Sequence, residues 1–227
     1  MKLSFDVWLK NVESIALSER PGTWHTQPET SNANVDWNPH AIVPRNTSVI
    51  AHEAGVDAAK WMMEQLENDG EERRKLLIEW CRLLLERKEL ILPLEIPDIL
   101  IRRSGDPSIE VSSRVVTCIA KLIEGDRESA LECIRILHNR EDLLIRRAMA
   151  DVLTRLFRRI TTDAIPLLND MLEDDDASVL AAASATVGDL RFLDKEMWAD
   201  KIDELCNHPS EIVRRNLVYT IRDYLEE

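Results

Sequence analysis

The strongest constraint on this chain is a pattern that returns at a fixed interval of 34 residues. It first runs Asp106-Pro107-Ser108-Ile109-Glu110-Val111, and its returns begin at Arg140, Asp174 and His208. Val111 aligns with Ile145, Val179 and Val213, and Val115 with Met149, Ala183 and Leu217. Ile119 aligns with Leu153, Val187 and Ile221, and Leu122 with Leu156, Leu190 and Tyr224. Every position in these columns is apolar. At 44% hydrophobic residues, a column of four fills by chance roughly 4% of the time, so four columns in one register mark a structural repeat.

Within each period the columns follow helical spacing, and a second apolar set precedes them. Ala130, Leu131, Ile134 and Leu137 are followed one period later by Ala164, Ile165, Leu168 and Met171, and then by Trp198, Ala199, Ile202 and Leu205. One unit is therefore two antiparallel helices, A then B. Before the first of these B helices, residues 97–103 form a short helix. A turn at Gly105-Asp106 follows, and Pro107 is expected at the first helical position, where its missing N–H costs nothing. The column Val116, Ala150, Ser184, Val218 is small enough to let neighbouring units approach closely. Pro166 is read as a kink in its A helix.

Upstream, a helix is expected from Thr47 to Asp69-Gly70, where glycine accepts the left-handed conformation that ends helices. The next helix, roughly 71–89, is apolar nearly all round and should be sandwiched. Leu77 and Cys81 stand one period before Val111 and Val115, so this pair is a divergent first repeat. The expected fold is all-α, a right-handed α-solenoid of antiparallel helix pairs over residues 47–227, with about five pairs. Residues 1–46 form a separate N-terminal part. In it, a helix over 4–19 carrying Phe5, Trp8, Leu9 and Val12 caps the first repeats. A proline- and asparagine-rich irregular stretch over 20–46 follows, holding Trp24 and Trp37. Such large apolar surfaces either pack along the solenoid or make a second interaction surface.

Composition narrows the function. Twenty-nine basic against 42 acidic residues give a net charge of −13, which repels phosphate backbones and favours basic proteins as partners. The first residues meet charge before any leader-length apolar run, and no stretch has the length of a membrane span, so a cytoplasmic protein is expected. The cysteines, Cys81, Cys118, Cys133 and Cys206, are far apart and sit among apolar helical positions, as reduced core thiols do. The histidines, His25, His40, His52, His138 and His208, show no metal spacing and are expected in surface or capping roles. The acidic run Glu173-Asp174-Asp175-Asp176 precedes a B helix, where carboxylates favour the positive helix end. No phosphate loop, nucleophile elbow or dinucleotide fingerprint occurs, so no catalytic constellation, metal or cofactor is expected.

Several short motifs carry a family resemblance. They are Asp-Pro-Ser-x-x-Val opening a B helix, Ile145-Arg146-Arg147-Ala148 and Val213-Arg214-Arg215 after it, Val187-Gly188-Asp189-Leu190 near its end, and Ala164-Ile165-Pro166-Leu167-Leu168 in an A helix. Together these resemble HEAT repeats, and are most similar to the short subtype of phycobilisome-lyase-like proteins, over about 91–227. The resemblance implies a helical scaffold that binds proteins. Leu180 and Ser112 stand where the HEAT pattern has arginine, which would interrupt a ladder of Asp–Arg pairs between units.

The leading expectation is a non-enzymatic protein-interaction scaffold or adaptor holding a partner on its concave face, for instance as an inhibitor or immunity protein of a basic partner. On a helical wheel, columns 113, 117, 120 and 121 lie opposite the core columns. They bring out Thr117, Lys121, Arg147, Asp151, Arg155, Arg215, Tyr219, Arg222 and Asp223 as the candidate partner-binding residues. Arginine and tyrosine are enriched at interface hot spots. Two further readings follow from resemblance: a nucleic-acid enzyme like the alkylpurine DNA glycosylases built from HEAT-like repeats, with its paired arginines on DNA, and a chaperone-like tetrapyrrole lyase subunit. The last B helix keeps an apolar face, so either the natural chain continues or this repeat self-associates.

Overall fold

The computed structural model describes residues 56, 60, 63, 64, 66, 67, 70–160 and 163–226. These form ten α-helices: α1 (Glu71–Leu84), α2 (Lys88–Ile91), α3 (Ile96–Ser104), α4 (Ile109–Gly125), α5 (Arg127–His138), α6 (Leu143–Ile160), α7 (Ala164–Leu172), α8 (Ala177–Thr186), α9 (Lys195–Leu205) and α10 (Glu211–Glu226). A 3-10 segment, Val187–Phe192, follows α8. No strand occurs among the described residues. The chain divides into two compact units, 1–133 and 134–227. The N-terminal helix expected over 4–19 and the stretch with Trp24 and Trp37 lie outside the described residues.

The B helices α4, α6, α8 and α10 begin at residues 109, 143, 177 and 211, each 34 residues after the last. The turn before each helix explains the regular interval. Asp106 Oδ1 accepts the Ser108 N–H at 2.9 Å, and Asp174 Oδ1 accepts the Asp176 N–H at 2.8 Å. At the fourth return a ring nitrogen does the same work: His208 Nδ1 accepts the Ser210 N–H at 3.1 Å, while Nε2 faces the Leu172 carbonyl at 3.1 Å. Those partners make Nδ1 the acceptor and Nε2 the donor. Arg140 cannot accept, and its Nε donates instead to Asp142 Oδ2 at 2.9 Å. His208 is thus a capping residue, as expected.

In the first unit, α4 packs against both α1 and α3. Its stripe of Val111, Val115, Val116, Cys118, Ile119 and Leu122 is fully buried. Each such side chain contributes about 1.5–3 kcal/mol, so this stripe is what fixes α4 in place. Leu76, Leu77, Ile78, Trp80, Cys81, Leu84 and Leu85 of the α1 region are buried too, consistent with a helix covered on several sides. Lys75 stands over Glu71 and Glu72 of its own helix and Glu110 of α4. The Glu110 and Glu71 carboxylates hold its ammonium well above the usual lysine range.

In the second unit, α8 packs between α6 and α10, and α7 packs against both α6 and α8. The 3-10 segment packs on α9 and α10. The core columns are closed: Ile145, Val179 and Val213 are 0% exposed. Gly188 lets the 3-10 segment approach α10, since a Cβ there would stand 3.2 Å from Thr220 Cγ2.

Several local expectations change. Gly70 has φ −76° and serves as the N-cap of α1, so it is not a left-handed helix end. The helix expected over 71–89 stops at Leu84, and α2 is separate. Pro107 precedes the cap rather than following it, because Ser108 accepts the Val111 N–H and so takes the N-cap position. Pro166 lies in the first turn of α7, where its missing N–H leaves no intrahelical bond broken and no kink is required. The third B helix is short, ending at Thr186 and passing into the 3-10 segment. Cys206 is exposed at the end of α9, whereas Cys81, Cys118 and Cys133 are buried.

Candidate interaction surface

The candidate residues fall on both units. Thr117 and Lys121 lie on α4 of the first; Thr117 is exposed, and its hydroxyl donates to the Arg114 carbonyl at 2.7 Å. Lys121 is half-buried and pairs with Glu86 at 3.4 Å. The wheel's outward column fails at Ala120, which is only 7% exposed. It is packed rather than presented.

In the second unit the structure brings together Arg147, Asp151 and Arg155 on α6 and Arg215, Tyr219 and Arg222 on α10, all exposed, with α8 between the two helices. By the repeat register, Ala181 lies between Arg147 and Arg215, and Ala185 between Asp151 and Tyr219. The middle helix thus offers methyl groups where its neighbours offer long side chains. Asn216 braces this arrangement: its Nδ2 donates to the Ala181 carbonyl at 3.0 Å and to Ser184 Oγ at 2.8 Å. Arg222 stacks over the Tyr219 ring at 5.3 Å, which holds both side chains on the outer face of α10.

The arginines of this ridge are not equivalent. Arg147 is committed, with Nε at 3.2 Å and Nη2 at 3.0 Å from the two oxygens of Asp176, the N-cap of α8. That guanidinium, together with the Ser178 hydroxyl, holds the Asp176 carboxyl well below the usual carboxylate range. Among the described residues the side chains of Arg155 and Arg215 make no hydrogen bond or ion pair. The side chain of Asp223 lies outside the described residues.

A shallow cleft of about 100 Å³ in this unit is lined by Leu137, His138, Arg146, Met149, Asp170, Met171 and Asp174. His138 Nε2 meets Asp170 Oδ2 at 2.9 Å, and Arg146 Nε meets Asp174 Oδ2 at 2.8 Å. Its polar groups satisfy one another, and no hydroxyl or thiol nucleophile lines it. Among the described residues no group of three or more His, Cys, Asp or Glu side chains could hold a metal ion. No helix among them is long and apolar enough to cross a membrane.

The family model for HEAT repeats matches residues 96–188, from the start of α3 into the 3-10 segment. Residues 96–188 are thus HEAT repeats. A designed armadillo repeat protein in complex with the peptide (KR)4 aligns over 95% of this chain and 99% of its own, with a TM-score of 0.54 at 14% identity. A computationally designed armadillo repeat protein for modular peptide recognition aligns over 82% and 94%, with a TM-score of 0.44 at 18% identity. The first likeness places this chain in the all-α, armadillo-like solenoid class, as its 34-residue register led one to expect. A search of curated proteins found no match.

The partner-binding candidates read from the sequence left out Arg146, Arg214 and Val218, although the pairs Arg146-Arg147 and Arg214-Arg215 stood among its motifs. The signal was present in the register, because Arg214 falls in the column of Arg146 and Val218 in the column of Ala150.

Proposed function

We propose that this chain is a non-enzymatic protein-interaction scaffold that holds a protein partner along the exposed ridge of α6, α8 and α10. The observation that carries the reading is the contrast between the small residues of α8 and the long side chains of its two neighbours. Uncommitted Arg155 and Arg215 and the braced Tyr219 stand beside Ala181 and Ala185. Such small residues admit a partner's side chains, and arginine and tyrosine are the types that carry interface energy. Repeat arrays expose extended surfaces of this kind.

Charge acts at two ranges. The net charge of −13 draws basic partners during encounter, and the complex of a similarly folded designed armadillo protein with the peptide (KR)4 supports a partner of that kind. At the ridge, Arg155 and Arg215 outnumber Asp151, so carboxylates of the partner are favoured at the contact itself.

A pull-down from the native organism with mass spectrometry supplies the partner, and a variant combining Asp151→Ala, Arg155→Ala and Tyr219→Ala tests the site. We expect an unchanged melting temperature and affinity weakened by at least ~2 kcal/mol. Capture that survives these changes but fails on Trp24→Ala and Trp37→Ala would move the site to the N-terminal stretch. Salt-sensitive binding of duplex DNA without any protein partner would favour the nucleic-acid reading instead.

A further inference from the structure

The 34-residue register allows one contact to be read twice. Arg146, near the start of α6, donates from Nη1 to the Glu141 carbonyl of its own entering loop. Its Nε and Nη2 reach forward to the next repeat, 2.8 Å to Asp174 Oδ2 and 3.2 Å to Asp175 Oδ1. The adjacent Arg147 takes Asp176, as described above. Two arginines at the start of one B helix thus hold the acidic loop that opens the next. One turn further on, Ala150 is covered and only 2% exposed.

Two periods later Arg214, Arg215 and Val218 occupy the same three positions on α10. The inner half of the contact is repeated there: Arg214 Nη1 donates at 2.9 Å to the carbonyl of Pro209, which is the register equivalent of Glu141. The outer half is open. Among the described residues, Nε and Nη2 of Arg214 and the whole Arg215 guanidinium make no hydrogen bond or ion pair. Val218 is 64% exposed, whereas Val116, Ala150 and Ser184 in the same column are 0%, 2% and 0% exposed.

The arginine pair is not common to the B helices: on α4 the two positions are Ser112 and Ser113, although the loop that opens α6 carries Glu141 and Asp142. On α8 the two positions are Leu180 and Ala181, and the loop that opens α10, His208-Pro209-Ser210, contains no carboxylate. We infer that the lateral face of α10 built from Arg214, Arg215 and Val218 is a docking site for a helix of a partner protein whose entering loop carries two or three carboxylates. This deepens the scaffold reading by naming the chemistry of the partner. Guanidinium forks match such carboxylates in pairs, and the small Val218 allows the partner helix the close approach that Ala150 allows α8. A second copy of this chain is a poorer occupant. Face-to-face pairing would set Arg214, Arg215 and Arg222 against their own copies, and like charges across an interface are repelled. The chain's own acidic loop is already held by Arg146 and Arg147.

The natural occupant of the equivalent site on α6 supplies the probe. A labelled synthetic peptide of residues 173–205 is titrated with the full chain by fluorescence anisotropy at low salt. Saturable binding is expected, weakened about tenfold or more by the double change Arg214→Ala and Arg215→Ala. Val218→Glu should weaken it likewise, as should a peptide with Asp174, Asp175 and Asp176 changed to Asn. The melting temperature of each protein variant should stay at the parental value. Absence of saturable binding, or binding indifferent to these changes, overturns the inference. So does binding that depends on Arg146 and Arg147 instead, since the peptide would then be exchanging into the place of α8. A sedimenting dimer abolished by Val218→Glu would give the face to a second copy and overturn it too. Loss of the captured partner on changing Asp151, Arg155 and Tyr219 would leave the scaffold reading standing in each of those cases.

Discussion

Asp106 offers the sharpest test of what holds the first unit together. Its side chain is 0% exposed, yet it accepts from Arg74 Nε at 2.8 Å, from Arg103 Nη1 at 2.9 Å and from the Ser108 N–H at 2.9 Å. Arg74 and Arg103 are themselves only 13% and 18% exposed. Burial raises the carboxyl's pKa, but the Ser108 N–H and the two guanidiniums outweigh it and leave it below the ordinary aspartate value. Asp106→Ala removes the carboxylate shared by two largely covered guanidiniums, leaving Arg103 with Glu67 at 3.6 Å. Breaking a buried pair costs about 3–5 kcal/mol, and the residual exposure of both arginines puts this case near 3. Asp106→Asn keeps the acceptor for Ser108 and loses the charge, for about 2 kcal/mol. In a chain of this size each kcal/mol lowers Tm by roughly 2–4 °C, so circular dichroism melts should resolve both variants. The pH dependence follows from the lowered pKa. The stabilisation is fully present above the unfolded aspartate value of about 3.9 and is lost as pH falls through the folded value below it. The gap between parent and Asp106→Asn should therefore be constant near neutrality and close below about pH 4. A further variant, Arg74→Met with Arg103→Met and Asp106→Leu, should regain much of the loss, since apolar replacement removes the stranded charges. A parent and Asp106→Asn that melt together at neutral pH, or a gap that persists unchanged into acid, would refute this account.

Three further outcomes follow from single contacts. His208→Ala should cost about 1 kcal/mol in urea titrations while His208→Asp retains most of the stability, because an aspartate can accept the Ser210 N–H as Asp106 and Asp174 do; equal losses would show that the turn bond is not what His208 provides. Asn216→Leu should destabilise the second unit by about 1–2 kcal/mol, since it strips the Ala181 carbonyl and Ser184 Oγ of a donor, and an unchanged melt would refute that. Of the four cysteines, Cys206 alone should react with a thiol reagent in the native chain, because burial pushes Cys118 up to about 12 and Cys133 up to about 11 and holds Cys81 well above the usual thiol range. Mass spectrometry finding two or more native labels would contradict the packing described.

Repeat class, helix pairing and the register of the B helices were legible in the sequence because they rest on periodicity, and periodicity survives without coordinates. The columns headed by Val111 and Val115 are buried in every repeat, and the helices start where the interval puts them. Cap positions were less legible. Ser108 and Asp106 both can cap, and the choice that displaced Pro107 was made by which oxygen met the Val111 N–H in three dimensions. The same holds for His208, whose ring stands in for an aspartate only because the Leu172 carbonyl fixes which nitrogen carries the proton. Outward-facing residues could be named from a helical wheel, but the wheel knows nothing of neighbours. It exposed Ala120, which packing covers, and treated Arg147 and Arg215 alike, although Asp176 occupies one and no described residue occupies the other. Local pattern determined which residues form helices and which faces are apolar. Tertiary structure alone decided which charges are spent inside the fold and which remain for a partner, because ion pairing between repeats depends on the loop that follows each helix, about 30 residues further along the chain.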